Sequence, residues 1–493
     1  MTSDRSGSSG IGRRDLLLGA GTAVATWLDV AMVAEKMPTL SSARRTPLVV
    51  LAIGLFIVAL ATIAVPRLAP AETLAAWVEL IGPGRDASIR VIVSNDAGCP
   101  TLTADGEPLA MRVRAGPDPI FSEGDLPPRA EFPVRVCEVT APEGKAQVLL
   151  EGNALPLPRA DIQRIVVFGD TGCRIKKKKK PQGCDDPDQW PYTKVVMHAA
   201  QARPDLVIHV GDYLYRESCG VPACENMRTG YGWDVWNADF FTPSAPLFAA
   251  APWIMVRGNH ESCSRAADGW FRFLDHARPD NKCPEMSQFF VADLGNLGFV
   301  VMDSAAVAGV DDTSVIDDDD DDDDDEAGSR PADGLIEKIR REYLAIGQSV
   351  PAPAWLLTHS PFNAIRRDKT TGENKVDNTV QQEAVGDILS PDIAMVVSGH
   401  IHIFEALTFG QSNPQRRPQL VVGTGGDKLA KKPEKPTDVD GVPVDDAVIV
   451  KSFAYMVWDR DGANWKGELF DEDGTPIARC RLGGRDLTCE KER

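Results

Sequence analysis

Short apolar runs alternate with helical stretches along the second part of the chain. Seven of these runs predict buried strands, over residues 164–169, 206–211, 253–258, 297–303, 354–359, 393–399 and 419–425. Between two of them, Leu335, Ile339 and Tyr343 fall on one face of a helix predicted over residues 334–346. Nearly continuous apolar strands that alternate with helices indicate sheets covered on both faces. We therefore predict an α/β layered architecture.

The chain before residue 160 has a different pattern, with short runs of partly alternating apolar and polar residues and no useful helical period. Strands are predicted over residues 87–95, 110–116, 132–139 and 145–152, with Pro- and Gly-rich turns between them. This pattern predicts a small all-β domain over residues 72–160, in the form of a sandwich. The α/β domain would then occupy residues 161–493.

Residues 1–71 are predicted to be a targeting segment. Residues 48–65 are apolar and uncharged, Arg44 and Arg45 precede them, and small residues at 69–71 come before Glu72. A basic flank, an apolar run and a small-residue site are typical of a signal peptide. The run is also long enough to span a bilayer, so a retained membrane anchor is the alternative. In both cases the rest of the protein would lie outside the cytoplasm, as a periplasmic, secreted or outward-facing membrane-anchored protein.

Charge along the chain is uneven. The net charge is −19, and nine consecutive aspartates, Asp317–Asp325, lie within an acidic insert over residues 311–327. A second run, Lys176–Lys180, has five lysines. Such runs predict solvated loops. The acidic balance argues against a nucleic-acid backbone as partner, so we expect no nucleic-acid-binding surface.

Polar side chains directly follow five of the predicted strands. They are Asp170 in GDTG, Asp212 and Tyr215 in GDYLY, Asn259, His260 and Glu261 in GNHE, His359 in THS, and His400 and His402 in GHIH. Open α/β sheets place their sites outside the carboxyl ends of the strands. We therefore expect all five strand ends to meet at one crevice.

The donors in this set are too many for one metal ion and suit two, with one carboxylate as a bridge. Two cations about 3.5–4 Å apart can clamp a phosphate and activate water. Taken singly, Asp212 could cap a helix, Asn259 could cap a turn and His359 could be a satisfied core residue. Their joint occurrence at strand ends favours metal ligands. His209, inside a strand, is interpreted as a core or supporting residue.

The ordered motifs GDxG, GDxxY, GNH with an acid, a lone histidine and GHxH resemble those of the calcineurin-like metallophosphoesterases, and within them the purple acid phosphatases. The resemblance covers residues 169–402. It implies a layered β-sheet sandwich flanked by helices. It also implies hydrolysis of phosphate monoesters, on a small molecule or a peptide, by a metal-bound hydroxide. A phosphodiesterase with the same metal pair and a non-catalytic metal-binding module are the alternatives.

The resemblance also implies a role for each residue. Asp170, Tyr215 and His402 would hold the first metal, Asn259, His359 and His400 would hold the second, and Asp212 would bridge them. His260 would contact the phosphate or protonate the leaving group, and Glu261 would orient its ring.

Tyr215 also bears on which metals bind. Many metallophosphoesterases have a histidine in the first motif, as D-x-H, and Gly172 stands there in this chain. Tyr215 can supply the missing ligand. A phenolate is a hard, anionic oxygen donor, so we expect Fe(III) at its site and a divalent ion (zinc, manganese or iron) at the other. A coloured protein follows from this prediction.

The ten cysteines all follow residue 72, and their even number predicts disulfides in an oxidising compartment. Free thiols in a cytosolic enzyme are the alternative. Connectivity does not follow from the count, but one set of local pairs would close the loops that carry the motifs. These pairs are Cys173 with Cys184, Cys219 with Cys224, and Cys263 with Cys283. A fourth pair, Cys99 with Cys137, would cross-link the β region.

Overall fold

The computed structural model describes residues 72–492, apart from residues 122–129, 178, 279–280, 308–333, 348, 369–370 and 378. The predicted targeting segment 1–71, its apolar run 48–65 and the acidic insert 311–327 therefore lie outside the described residues. Within the part of the chain that is described, no helix is both long and apolar enough to cross a membrane.

Strands dominate the described residues before the first motif. They are β1 (Thr73–Leu80), β2 (Ala87–Ser94), β3 (Thr101–Ala104), β4 (Glu107–Ala110), β5 (Arg112–Ala115), β6 (Val134–Thr140), β7 (Val148–Leu150) and β8 (Asn153–Ala154).

The motif-bearing part follows with β9 (Arg164–Phe168), β10 (Leu206–His209), β11 (Trp253–Met255), β12 (Phe290–Asp293), β13 (Gly298–Met302), β14 (Ala354–Thr358), β15 (Ala364–Arg367), β16 (Asn374–Asp377), β17 (Ile393–Ser398), β18 (Phe404–Thr408) and β19 (Gln419–Val422). The C-terminal part adds β20 (Asp438–Val439), β21 (Val442–Pro443), β22 (Asp446–Val450), β23 (Ala454–Asp461), β24 (Asn464–Asp471), β25 (Pro476–Gly483) and β26 (Asp486–Lys491).

The helices are α1 (Tyr192–Gln201), α2 (Trp233–Trp236), α3 (Thr242–Phe248), α4 (Ala267–Phe273), α5 (Leu335–Gly347) and α6 (Thr379–Val385). A π-helical turn, Asn237–Phe241, joins α2 to α3, and two 3₁₀ turns cover Pro222–Cys224 and Asn259–Glu261.

Two sheets pack face to face around the main core. The larger has the order β26-β25-β24-β23-β9-β10-β11-β1-β2-β6-β5, and the smaller has the order β12-β13-β14-β17-β19-β18-β22. Between them Trp355 of β14 contacts Trp458 of β23 and Trp465 of β24, with ring centroids 5.6 Å apart in both pairs. Aromatic contacts of this kind join the two layers across the core.

Helices cover the outer faces of both sheets. Val195 of α1 and Leu247 of α3 share an apolar cluster with the outer face of the larger sheet. Leu335 and Ile339 of α5 do the same on the smaller sheet. The order helix, sheet, sheet, helix confirms the predicted α/β layered architecture.

Residues 72–160 are rich in strands, as predicted, and are continuous with the larger sheet. β1 pairs in parallel with β11, and β2, β6 and β5 extend the sheet beyond it. β3, β4, β7 and β8 form a separate four-stranded sheet. Val78 and Ile89 join the same apolar cluster as Ile165 and Trp355. No break in the sheet therefore coincides with residue 160.

The carboxyl ends of the motif strands meet at one edge of the sandwich. β9, β10 and β11 are parallel in the larger sheet, and β13, β14, β17 and β19 are parallel in the smaller. The N–H of Gly425, after β19, donates to the carbonyl of Gly169, after β9, at 2.8 Å. This contact joins loops from the two sheets where the polar side chains cluster.

Candidate metal centre

Three residues of this cluster have a backbone conformation that side chains seldom adopt. φ is +58° at Asp170, +59° at Asp212 and +71° at His400, each directly after a glycine that ends a strand region. Non-glycine residues with positive φ are strained and tend to occur at functional sites. The sharp turns direct all three side chains from strand ends into one small volume.

Tyr215 lies at the centre of the first group of donors. Its hydroxyl oxygen is 2.7 Å from Asp212 Oδ2, 3.0 Å from Asp170 Oδ1 and 2.9 Å from His402 Nε2. Two carboxylates, an imidazole and a phenol thus converge, and all four side chains are buried. One face of Tyr215 packs on the ring of His260, with centroids 4.1 Å apart.

Asn259 lies at the centre of the second group. Its Oδ1 is 3.0 Å from His359 Nε2 and 3.1 Å from His400 Nδ1. His359 Nε2 is also 3.2 Å from Asp212 Oδ2. The other nitrogen of His359, Nδ1, is 2.8 Å from the carbonyl of Val210, which leaves Nε2 as the nitrogen that faces the cluster.

Asp212 belongs to both groups. Donor atoms of Asp170, Asp212 and His402 lie within 4.8 Å of one another, and so do those of Asp212, His359 and His400. A shared carboxylate between two sets of hard oxygen and imidazole donors fits a pair of metal ions. The structure therefore brings all seven predicted ligands together.

The charges in this cluster act strongly on one another. Burial opposes ionisation of Asp212, but the neighbouring His359 holds the pKa of this carboxyl well below its usual range. Burial alone would lower the pKa of His359, and Asp212 overrides it and raises the value to about 9. The pKa of the Tyr215 phenol is raised well above its ordinary value, mainly by burial and to a smaller extent by the negative charges of Asp170 and Asp212. A dry site with this much negative charge favours cations.

Asp427 is a functional residue that the sequence analysis missed. Its Oδ2 lies 3.1 Å from His402 Nδ1, and its carboxylate also takes hydrogen bonds from Arg174. A carboxylate behind an imidazole fixes the tautomer and orientation of a metal-binding histidine. Asp427 follows β19 in the stretch GTGGD, so the strand-end rule that found the other motifs could have found it too.

His260 and Glu261, although adjacent in sequence, contact different groups. The backbone N–H of His260 donates to Asp212 Oδ1 at 2.9 Å, and its ring Nδ1 is 3.3 Å from Glu217 Oε1. Glu261 instead accepts the N–H of Tyr213 at 2.9 Å and those of Asp212 and Gly258 at 3.2 Å. The expectation that Glu261 orients His260 is therefore wrong, because its carboxylate ties two motif loops together and Glu217 faces the ring.

His209 is a supporting residue, as interpreted from its place inside a strand. It is fully buried, stacks on Tyr213 with centroids 4.0 Å apart, and its Nε2 is 3.0 Å from Thr171 Oγ1. Its ring therefore joins the first two motif loops without facing the donor cluster.

Gly172 has no room for the histidine of a D-x-H motif. A Cβ at this position would lie 2.6 Å from the carbonyl oxygen of Tyr213 and 2.8 Å from the nitrogen of Tyr215. Real Cβ atoms do not approach backbone atoms so closely, so the path of the GDYLY loop excludes any side chain at residue 172. The same loop brings the phenol of Tyr215 into the cluster.

All ten cysteines are paired. The four predicted pairs, Cys99–Cys137, Cys173–Cys184, Cys219–Cys224 and Cys263–Cys283, are confirmed, and Cys480–Cys489 is a fifth. Three of them close loops that follow the first three motifs. Five disulfides are typical of an extracellular or otherwise oxidising compartment.

Comparisons with known proteins agree with this geometry at the level of family. No curated protein matches the chain. One solved structure, a conserved uncharacterized protein from Streptococcus pneumoniae TIGR4 described as a "predicted phosphoesterase", shares 11% identity over 67% of this chain and 98% of its own. Its TM-score is 0.23, which is too low to support any inference.

The family model described as calcineurin-like phosphoesterase matches residues 163–404. These residues include all seven donors and His260. This part of the chain belongs to the calcineurin-like phosphoesterases.

Proposed function

We propose that this protein is exported and hydrolyses phosphate monoesters with two metal ions. The observation that carries the proposal is that two groups of buried donors share Asp212. A bridging carboxylate of this kind holds two cations close enough to act on one phosphate. Membership of the phosphoesterase family supports the reaction class.

Each group of donors has a proposed ion. Asp170, Tyr215 and His402 hold one, Asn259, His359 and His400 hold the other, and Asp212 binds both. When bound, the metals neutralise phosphoryl charge and lower the pKa of a coordinated water. The phenol of Tyr215 favours Fe(III), whereas the imidazoles and the amide of the second group suit a divalent ion such as zinc, manganese or iron.

His260 is the proposed catalytic residue. Its backbone is fixed to Asp212, its ring packs on Tyr215, and it is not needed by either donor group. A histidine in this position can bind a phosphoryl oxygen or donate a proton to the leaving oxygen.

Export rests on the disulfides. The cytosol keeps thiols reduced, whereas all ten cysteines here are paired. The proposed substrate is therefore a phosphorylated small molecule or peptide outside the cytoplasm.

Assays of the purified protein on an aryl phosphate monoester and an aryl phosphate diester, with iron and a divalent metal present, test the reaction. We expect turnover of the monoester and much slower turnover of the diester. A preference for the diester would make the protein a phosphodiesterase. Hydrolysis of neither ester by metal-loaded protein would leave a non-catalytic metal-binding module.

A variant of His260 tests the division of labour within the site. His260→Ala should lower kcat by roughly 10²–10⁴-fold, the usual contribution of a general acid or base. Metal content, measured by elemental analysis, should stay at the wild-type level. His198→Ala on α1 is the matched control and should change neither quantity. Loss of both metals in His260→Ala would instead assign His260 a ligand or structural role.

A further inference from the structure

Arg174 lies against two of the proposed ligands of the first metal. Its guanidinium carbon is over the ring of Tyr215, 5.4 Å from the centroid. Its Nη2 is 3.1 Å from Nδ1 of His402, and its side chain is only 12% exposed. A cation within about 6 Å of an aromatic ring is attracted by the face of that ring. Arg174 therefore contacts both a phenol and an imidazole of the same donor group.

Asp427 holds the guanidinium in this place. Nε of Arg174 donates to both carboxylate oxygens of Asp427, at 3.0 and 3.1 Å, and Nη2 donates to Oδ2. The same Oδ2 is 3.1 Å from Nδ1 of His402, whose Nε2 faces the Tyr215 hydroxyl at 2.9 Å. When Nε2 binds a metal, Nδ1 carries a proton, and the Asp427 carboxylate is placed to accept it.

The backbone on both sides of this pair is fixed by further hydrogen bonds. The N–H of Arg174 donates to Oε1 of Gln182 at 3.0 Å, and Nε2 of Gln182 donates to the carbonyl of Gly426 at 2.9 Å. The N–H of Asp427 donates to the carbonyl of Asp170 at 2.9 Å. The arginine–aspartate pair is therefore built into the segments that follow β9 and β19 and differs from an exposed ion pair between mobile side chains.

The charge of the site explains why Asp427 needs this partner. Asp170, Asp212 and a phenolate at Tyr215 would bring three negative charges to the first metal. Asp427 is fully buried and, alone, would add a fourth. An unpaired buried charge is destabilising, whereas an arginine in contact with both carboxylate oxygens compensates it. Arg174 therefore allows a carboxylate to lie behind a metal-binding imidazole without adding net charge to the site.

We propose that Arg174 is a positioning residue of the first metal site, which holds Asp427 behind His402, compensates the charge around the Tyr215 phenolate and thereby sets the reduction potential of iron bound there. The inference rests on the proposed function, in which Asp170, Tyr215 and His402 hold Fe(III). Groups behind the ligands of a metal control its redox potential and the basicity of those ligands.

Arg174→Gln tests the proposal on protein loaded with Fe(III), with no ester present. Loss of the positive charge over the ring raises the energy of the phenolate electrons, so the tyrosinate–iron(III) absorption band should move to longer wavelength. The reduction potential of the iron should fall, because less positive charge surrounds it. Arg174→Lys keeps the charge but loses the planar two-point contact, so both quantities should shift in the same directions by less.

Asp427→Asn separates a charge effect from a general disturbance of the site. This variant removes the negative member of the same pair, so the absorption band should move to shorter wavelength and the reduction potential should rise. Loosening of the site would instead move both quantities in the same direction in Arg174→Gln and Asp427→Asn. That result, or an unchanged spectrum and potential in Arg174→Gln, would overturn the proposal.

Arg164→Gln is the matched control. Arg164 on β9 also donates to both carboxylate oxygens of an aspartate, Asp459 on β23. It lies at the start of β9, whereas Asp170 follows the end of that strand. The control should leave the band and the potential at their wild-type values. Equal shifts in Arg164→Gln and Arg174→Gln would show that overall charge, rather than the position of Arg174, determines both quantities.

These measurements separate the role of Arg174 from the proposed reaction, because none of them requires turnover. Failure of the wild type to hydrolyse either ester would refute the phosphoesterase proposal, and the shifts would still test Arg174. A wild type that binds Fe(III) without a tyrosinate band would overturn the role of Arg174 together with the iron assignment. Ester hydrolysis by that same protein would still support the proposed function.

Discussion

At the residue scale, we expect Tyr215 to have the largest effect on which metals the site prefers. Its hydroxyl lies within 3.0 Å of both Asp170 and Asp212, and the chain leaves no space for a side chain at Gly172. The phenol can therefore supply the ligand that a histidine of a D-x-H motif would provide. An anionic oxygen at that position favours a trivalent ion.

Tyr215→Phe should abolish the visible absorption band that we expect from a tyrosinate–iron(III) pair, and it should weaken metal binding at that site. The absorption spectrum and iron content of the purified protein are the measurements. Tyr213→Phe is a close control, because Tyr213 lies in the same loop and is also buried, yet its hydroxyl donates to the carbonyl of Val256 at 3.1 Å. A Tyr215→Phe variant that keeps the colour, or a colourless wild type that is fully active with zinc alone, would contradict the iron assignment.

Glu217 is expected to position the ring of His260. Its Oε1 lies 3.3 Å from Nδ1 of the ring and 3.6 Å from Arg265. Glu217→Ala should lower kcat about tenfold with little change in KM, since the ring loses its orienting partner while the metals keep the phosphate. Glu217→Gln, which retains an oxygen at the same place, should recover most of the rate. Equal losses in both variants would argue for a different role.

At the scale of single elements, β18 carries a buried acid that should make stability depend on pH. Burial raises the pKa of Glu405 to about 8, and the N–H of Ile365 opposes this only partly. A carboxyl whose pKa is higher in the folded state than in the unfolded state keeps its proton on folding. This carboxyl therefore lowers the free energy of unfolding progressively as pH rises from about 4.5 through about 8.

Glu405→Gln should remove this dependence. Relative to wild type, the variant should gain stability between pH 5 and pH 8.5, by up to a few kcal/mol. Chemical denaturation of both proteins at the two pH values measures the difference. The exposed Glu107→Gln on β4 serves as control and should show no such gain. A difference between Glu405→Gln and wild type that is the same at both pH values would contradict the prediction.

The whole molecule depends on strands that precede the motifs. Arg114 of β5 donates to the carbonyl oxygens of Phe271, Arg272 and Asp275, which follow the third motif. It also pairs with Glu138 of β6 at 2.8 Å. Burial raises the pKa of Glu138, but Arg114 and other arginines outweigh it and lower the value to about 2. Charged groups buried in this way contribute to stability only while all partners are present.

A fragment of residues 161–493 should therefore fail to fold, whereas residues 72–493 should fold. The shorter fragment loses the strands beside β11, large buried side chains such as Trp77, and the donors to the segment after the third motif. Each such side chain contributes about 1.5–3 kcal/mol, against a total stability of about 5–15 kcal/mol. Circular dichroism and cooperative thermal unfolding are the measurements. A soluble, cooperatively unfolding short fragment would show that the boundary at residue 160 separates independent domains.

Local pattern was enough to predict the layered α/β architecture, the seven apolar strands and the candidate donors that follow five of them. Apolar runs report burial, and a polar residue directly after a buried strand lies at the edge of a sheet whatever the order of the strands. Three of the four predicted disulfides were also accessible from sequence, because their cysteines are close in sequence and lie in single loops.

Contacts between distant segments were decided only by the tertiary structure. Asp427 supports His402 because β17 and β19, the strands that these two residues follow, are neighbours in the smaller sheet. Glu217, rather than the adjacent Glu261, faces His260, since the direction of each side chain follows from the turn that carries it. The pairing of β1 with β11 joins residues 174 positions apart, Glu79 and Trp253, and sequence periodicity holds no information about such partners. Periodicity reports which face of an element is buried, whereas the choice of partner depends on how whole elements pack.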